Sequence, residues 1–141
     1  MGELLLKKAL LCRDRIEKIR RALPSEPASI LTDERTEAFI AFQIFLLVQD
    51  SIDLAAHLIA ARGLGVPTSH RESFEILAKA GLVSRETASD MAALASLRNR
   101  IAHTYGDLDP VRLVREAPRG LATAARFLDE IADVIAAIKG G

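Results

Sequence analysis

The sequence predicts an all-α protein built as an antiparallel helical bundle. Three observations lead there. Apolar residues recur at three- and four-residue steps in long segments, and no stretch alternates polar and apolar in the manner of a strand. Ala and Leu are abundant, while Gly (8) and Pro (5) are few and sit between the periodic segments. Aromatics make up only 4%, so the core must be filled by aliphatic side chains that suit helix packing. At 141 residues with no repeat and no low-complexity linker, the chain reads as one domain over residues 1–141, long enough to bury its own core.

The first helix spans residues 3–22. Leu5, Ala9, Cys12, Ile16, Ile19 and Leu23 form its apolar stripe. Its other face is basic: Lys7, Lys8, Arg13, Arg15, Lys18, Arg20 and Arg21 stand against Glu3, Asp14 and Glu17, a net of four positive charges read as a solvated face rather than a binding surface. Pro24 and Pro27 end it in a loop. Thr32 or Asp33 caps the second helix, with Glu34 and Glu37 in the first turn, where the helix dipole favours acids. That helix runs to about Arg62 and stops before Gly63 and Gly65. Residues 38–48 are apolar on every side except at Gln43, which calls for partners on several faces and predicts a subunit interface in a two-fold homodimer. The run is shorter than the ~20 residues of a membrane span, and no leader-like apolar segment opens the chain, so a cytoplasmic protein without a membrane partner is expected.

Further along the second helix, Gln49, Asp50, Asp53 and His57 form a polar turn. Asp53 and His57, four apart, share a face. An ion pair or a polar cleft lining is the expected role, because no third ligand of recognisable spacing supports a metal site. The single cysteine, Cys12, excludes an internal disulfide and reads as a small core residue. Ser69 and Glu72 make a capping box for a short helix to about Lys79, closed by Gly81. Ser84 caps a helix through Ala88, Met91, Leu94, Leu97 and Ile101, with Gly106 as its terminator. Asp109-Pro110 starts a short helix, Pro118 breaks or kinks it, and a last helix runs from about residue 119 to 139.

Chemistry is concentrated in residues 97–106. Arg98, Asn99, His103 and Tyr105 fall within eight positions. At about 100° per residue Arg98 and Tyr105 lie within roughly 20° of one another, with small Ala102 between them, whereas His103 is roughly 140° from Arg98. A guanidinium grips phosphate through a planar fork of donors, and an imidazole exchanges protons near neutrality. Together they suffice for RNA cleavage without metal: a base takes the 2′-hydroxyl proton, the oxygen attacks phosphorus, an acid protonates the leaving 5′-oxygen, and Arg98 stabilises the phosphorane charge. DNA has no 2′-hydroxyl and is excluded from this route. The bland alternative is that basic residues gather at a helix C-terminus because the dipole favours them there. Balanced acids and bases, 19 of each, disfavour indiscriminate coating of nucleic acid, although residues 98–119 carry five Arg against three acids.

The segment Arg98-Asn99-Arg100-Ile101-Ala102-His103-Thr104-Tyr105 resembles the R-x4-H-x-Y signature of HepT-like toxins in the HEPN superfamily. Gln49-Asp50-Ser51-Ile52-Asp53-Leu54-Ala55-Ala56-His57, Arg71-Glu72-Ser73-Phe74 after Pro67, Gly81-Leu82 and Tyr105-Gly106-Asp107-Leu108-Asp109-Pro110 extend the likeness over nearly the whole chain. The resemblance implies a small all-α, homodimeric endoribonuclease without cofactor, partner of a minimal nucleotidyltransferase (MNT) antitoxin in a type VII toxin–antitoxin pair. It implies Arg98 and His103 as the catalytic pair in a cleft between protomers, Asn99 in support, and Tyr105 as the residue silenced by AMP. Asp50, Asp53 and His57 are candidates for the cleft lining. A non-catalytic nucleotide- or RNA-binding module, or a helical protein-interaction module, stays open as the alternative.

Overall fold

The computed structural model describes residues 2–138. Its elements in order are α1 (Gly2–Ala22), a 3-10 turn (Pro27–Thr32), α2 (Glu34–Ala61), α3 (His70–Lys79), α4 (Arg85–Thr104), a second 3-10 turn (Tyr105–Asp107) and α5 (Pro110–Ala137). All are helical, as expected. α2, at 28 residues, is the central post: it packs against α1, α3, α4 and α5.

The ends of these helices follow local chemistry. Asp33 accepts from the Thr36 amide at 3.1 Å and starts α2, so the cap is Asp33 rather than Thr32. Ser69 and Ser84 accept from the amides of Glu72 and Thr87, both at 3.0 Å, and start α3 and α4. The Glu72 carboxylate reaches Thr68 instead of the Ser69 amide, so the capping box is displaced by one residue. Gly63 (φ 62°) and Gly81 (φ 77°) close α2 and α3 in the left-handed conformation that glycine adopts without steric penalty.

Two boundary expectations are corrected. Gly106 has no positive φ; α4 instead tightens into the 3-10 turn, where the Leu108 amide donates to the Tyr105 carbonyl at 3.1 Å. Pro118 does not divide the last segment: α5 is one helix of 28 residues with the proline inside it. Pro118 is exposed, while Val114, Ala117, Leu121 and Ala124 carry a buried stripe unbroken past it. A mid-helix proline costs about 3 kcal/mol, and burying large apolar side chains contributes roughly 1.5–3 kcal/mol each, so the packed face outweighs the lost backbone bond.

The core is one aliphatic cluster. Leu5, Ile19, Ile40, Leu54, Leu58, Met91 and Leu128 are all under 2% exposed. Its two buried rings, Phe74 and Phe127, meet edge-to-face with centroids 5.6 Å apart and tie α3 to α5. Gly120 lets α4 approach α5: a Cβ there would stand 3.1 Å from Leu94. Cys12 lies in this core as expected; burial first, then the charge of Asp50, pushes its thiol up to about 12.

α2 is less enclosed than its sequence suggests. Phe39 and Phe42 are 41% and 58% exposed on its outer side. Taken over 18 residues rather than over the uninterrupted apolar run, α2 is long and apolar enough to cross a membrane, with mean hydropathy 1.6; half of that window is buried in the bundle.

Candidate functional site

The site forms where the last turns of α4 lie beside the middle of α2. Arg98 leaves α4 and turns inward, with its guanidinium carbon 4.9 Å above the centre of the Phe45 ring. One terminal nitrogen, Nη2, donates to Oε1 of Gln49 at 2.6 Å, and the other, Nη1, donates to Oδ1 of Asn99 at 2.8 Å. The inner Nε–H is buried and has no acceptor among the described residues. Among the described residues Arg98 forms no ion pair, although Asp50 and Asp53 belong to the same polar turn of α2 as Gln49. Its neighbours are two amide oxygens and a π face, which hold the guanidinium plane and leave its charge in place.

His103 is five residues further along α4, exposed, and without a side-chain hydrogen bond among the described residues. α4 continues past His103, with the backbone departing from helical angles only at Thr104, so the two side chains keep the separation of roughly 140° read from the wheel. A single chain therefore does not join Arg98 and His103 by any hydrogen bond; Arg98 is lodged against α2 and His103 is presented outward.

Tyr105 begins the 3-10 turn, after a non-helical Thr104 (φ −135°, ψ 34°). Its hydroxyl donates to Oε2 of Glu37 on α2 at 2.7 Å. Partial burial, the Glu37 hydrogen bond and the charges of Glu37 and Glu34 push the phenol up to about 12, so it stays protonated at neutral pH.

The cleft-lining candidates divide. Asp50 pairs with Arg15 Nε at 3.3 Å and Lys8 Nζ at 3.7 Å, and Asp53 pairs with Lys8 at 3.6 Å, all across the α1–α2 seam. Asp53 also accepts from Gln49 Nε2 at 3.2 Å. Of the two roles expected for Asp53 and His57, the ion pair between them does not form: the Asp53 carboxylate meets Lys8 and Gln49, and half-buried His57 stands outside the cluster. The face of α1 read as merely solvated thus contributes two cations to this seam. Sequence reasoning did not single out Gln49, Phe45 or Glu37 as site residues. The available signal was weak: Gln49 interrupts an apolar helix four residues before Asp53, the spacing that lets the two side chains meet.

Residues 12–131 match the family described as ribonuclease HepT-like. An mRNA nuclease HepT of Shewanella oneidensis is 23% identical over 131 residues, covering 93% of this chain and 98% of the relative. A tRNA nuclease HepT of Aphanizomenon flos-aquae is 34% identical over 65 residues, 46% of this chain and 44% of the relative. The solved structure of the tri-AMPylated Shewanella oneidensis HEPN toxin in complex with MNT antitoxin superposes with a TM-score of 0.85 at 22% identity, over 94% of this chain and 99% of that one. An all-helical bundle and a family match over most of its length lead to one assignment: the chain belongs to the ribonuclease HepT-like family.

Proposed function

We propose that this protein is a metal-independent endoribonuclease toxin of a type VII HEPN/MNT pair, acting in the cytoplasm as a two-fold homodimer. The observation that carries the reading is Arg98, a guanidinium oriented by neutral groups, without a carboxylate partner, and with an unmet Nε–H. A guanidinium whose charge no carboxylate offsets favours an arriving anion such as a ribose phosphate.

In this reading two protomers meet through the open side of α2 around Phe39 and Phe42, which buries those rings and sets two Arg98–His103 pairs at one crevice. The dimer answers the separation of the two residues within one chain. One His103 imidazole takes the proton from the 2′-hydroxyl, and that oxygen attacks the adjacent phosphorus. The bond from phosphorus to the 5′-oxygen breaks, and the partner copy's imidazole returns a proton to that oxygen. The products are a 2′,3′-cyclic phosphate and a 5′-hydroxyl end. Arg98 stabilises the charge that develops on the non-bridging oxygens, and Asn99 holds the guanidinium plane. Substrate is RNA and not DNA, because the nucleophile is the 2′-oxygen.

Tyr105 is the residue that an MNT-type antitoxin modifies with AMP. The hydroxyl attacks the α-phosphorus of ATP, pyrophosphate leaves, and the phenol proton must go to a base because the group is neutral at cellular pH. The added adenylate is a bulky, charged group at the same end of α4 and obstructs the approach of substrate to the crevice.

The test is cleavage of RNA by the purified dimer. His103→Ala and Arg98→Ala each lower the rate at least ~100-fold with unchanged melting temperature. Tyr105→Phe keeps cleavage and abolishes the AMP mass increment on co-expression with the antitoxin. RNA bound equally by wild type and His103→Ala and cut by neither overturns the proposal.

A further inference from the structure

We propose that Gln49 is a positioning residue for Arg98 and that Asp53 fixes which end of the Gln49 amide faces the guanidinium. The proposal rests on the reading of Arg98 as the phosphate-binding group.

An amide group is nearly symmetric in outline. Its oxygen and its nitrogen have nearly the same shape and opposite hydrogen-bonding character. A glutamine beside an arginine orders it only when the oxygen points to the guanidinium. Asp53, one turn further along α2, makes that choice. Its carboxylate accepts from Gln49 Nε2 at 3.2 Å, leaving Oε1 to accept from Arg98 Nη2 at 2.6 Å. Turning the amide over would set oxygen against carboxylate and N–H against N–H, two repulsive contacts in place of two attractive ones.

The Asp53 carboxylate is held in turn from α1. Lys8 Nζ lies 3.6 Å from Asp53 and 3.7 Å from Asp50, and Arg15 bonds Asp50 through Nε at 3.3 Å and Gln43 through Nη1 at 3.1 Å. A chain of contacts thus runs from α1 through Asp53 and Gln49 to Arg98. The last link is neutral, which matters chemically: a carboxylate in place of the amide would hold the guanidinium equally well but compete with the substrate for its charge. With Nε unpartnered, Arg98 is held by the Gln49 and Asn99 bonds and the Phe45 ring, so the loss of Gln49 removes one of its two hydrogen bonds.

The experiment pairs kinetics with nitrogen-15 arginine side-chain NMR on the full-length protein. Gln49→Leu keeps the bulk and removes the acceptor. It is expected to lower kcat about tenfold with KM changed less than about twofold, since a misplaced guanidinium fails mainly in the transition state. Asp53→Asn lets the amide turn over and is expected to lower kcat about two- to threefold. In the spectrum the Arg98 Nε–H resonance is sharp and slowly exchanging in wild type and broadens in Gln49→Leu, while that of Arg126, which bonds α4 from α5, stays unchanged. A wild-type protein that cleaves no RNA overturns the nuclease reading, and the spectra then decide Gln49 alone. An Arg98 resonance as sharp in Gln49→Leu as in wild type, or wild-type kcat in that variant, overturns the positioning role.

Discussion

Arg98 and Arg126 each make two side-chain hydrogen bonds and each join two helices, Arg98 through one of its bonds and Arg126 through both, yet their surroundings differ. Arg126 leaves α5 and donates to Thr87 Oγ1 at 2.8 Å and Asp90 Oδ2 at 2.7 Å, with Glu130 Oε2 3.9 Å away. Its charge is neutralised by carboxylates, and the cluster fastens α4 to α5. Arg98 leaves the same α4 near its other end and meets only amide oxygens and a phenyl ring, with its Nε–H unmet. Polar groups that serve the fold are satisfied within the fold. Arg98 keeps its charge without a carboxylate and leaves one buried donor unmet, at a cost that the bundle's core must cover.

Changing the partners of each arginine tests the contrast. Gln49→Glu gives Arg98 the carboxylate it lacks and makes it resemble Arg126. RNA cleavage per folded molecule is expected to fall at least about tenfold, because a paired guanidinium no longer offers its full charge to phosphate, and the melting temperature falls slightly because the new carboxylate faces Asp53 without a donor. Undiminished cleavage by this variant would show that the neutrality of the Arg98 shell is incidental. Arg126→Met does the reverse, leaving Asp90 and Glu130 without their cation. Urea unfolding should register a loss of about 1–3 kcal/mol, with the cleavage rate per folded molecule unchanged.

The smallest effect at neutral pH concerns the arm of the Arg98 network that ends near Cys12, whose thiol is raised by burial and by Asp50. The folded thiol keeps its proton up to about 12, whereas the unfolded thiol loses it near its ordinary value of 9.0. Between those values the unfolded state binds fewer protons, so stability falls as pH rises. Tyr105 adds to the fall with the same sign above its ordinary value of 10.0. Cys12→Ala therefore flattens the lower part of the alkaline slope and leaves the Tyr105 part. Unfolding midpoints measured from about pH 8 to about pH 11 check this, and an unchanged slope would remove the thiol from the account.

Much of the bundle is legible in residue order. The stripes of α1 and α5, the serine caps of α3 and α4 and the glycine stops at Gly63 and Gly81 are local, since each follows from backbone preference or from a spacing of three or four. The errors fall where a local rule met a tertiary contact. Pro118 should interrupt a helix and does not, because residues on either side of it share one buried face. Asp53 shares a helical face with His57, yet its partners are Lys8 from α1 and Gln49.

The candidate site shows the same division. Arg98, Asn99, His103 and Tyr105 stand out in the sequence because they crowd eight positions, and family resemblance carries roles onto them. Gln49, Phe45 and Glu37 stay hidden, because each is 49 to 68 positions from the motif residue it touches. Residue order alone determined the helices, their caps and the presence of a guanidinium and an imidazole one and a half turns apart. Only the packing of α4 on α2 decided that the guanidinium would be gripped by neutral oxygens and left charged, because hydrogen bonds between helices depend on which faces meet, and no periodicity within one helix encodes that.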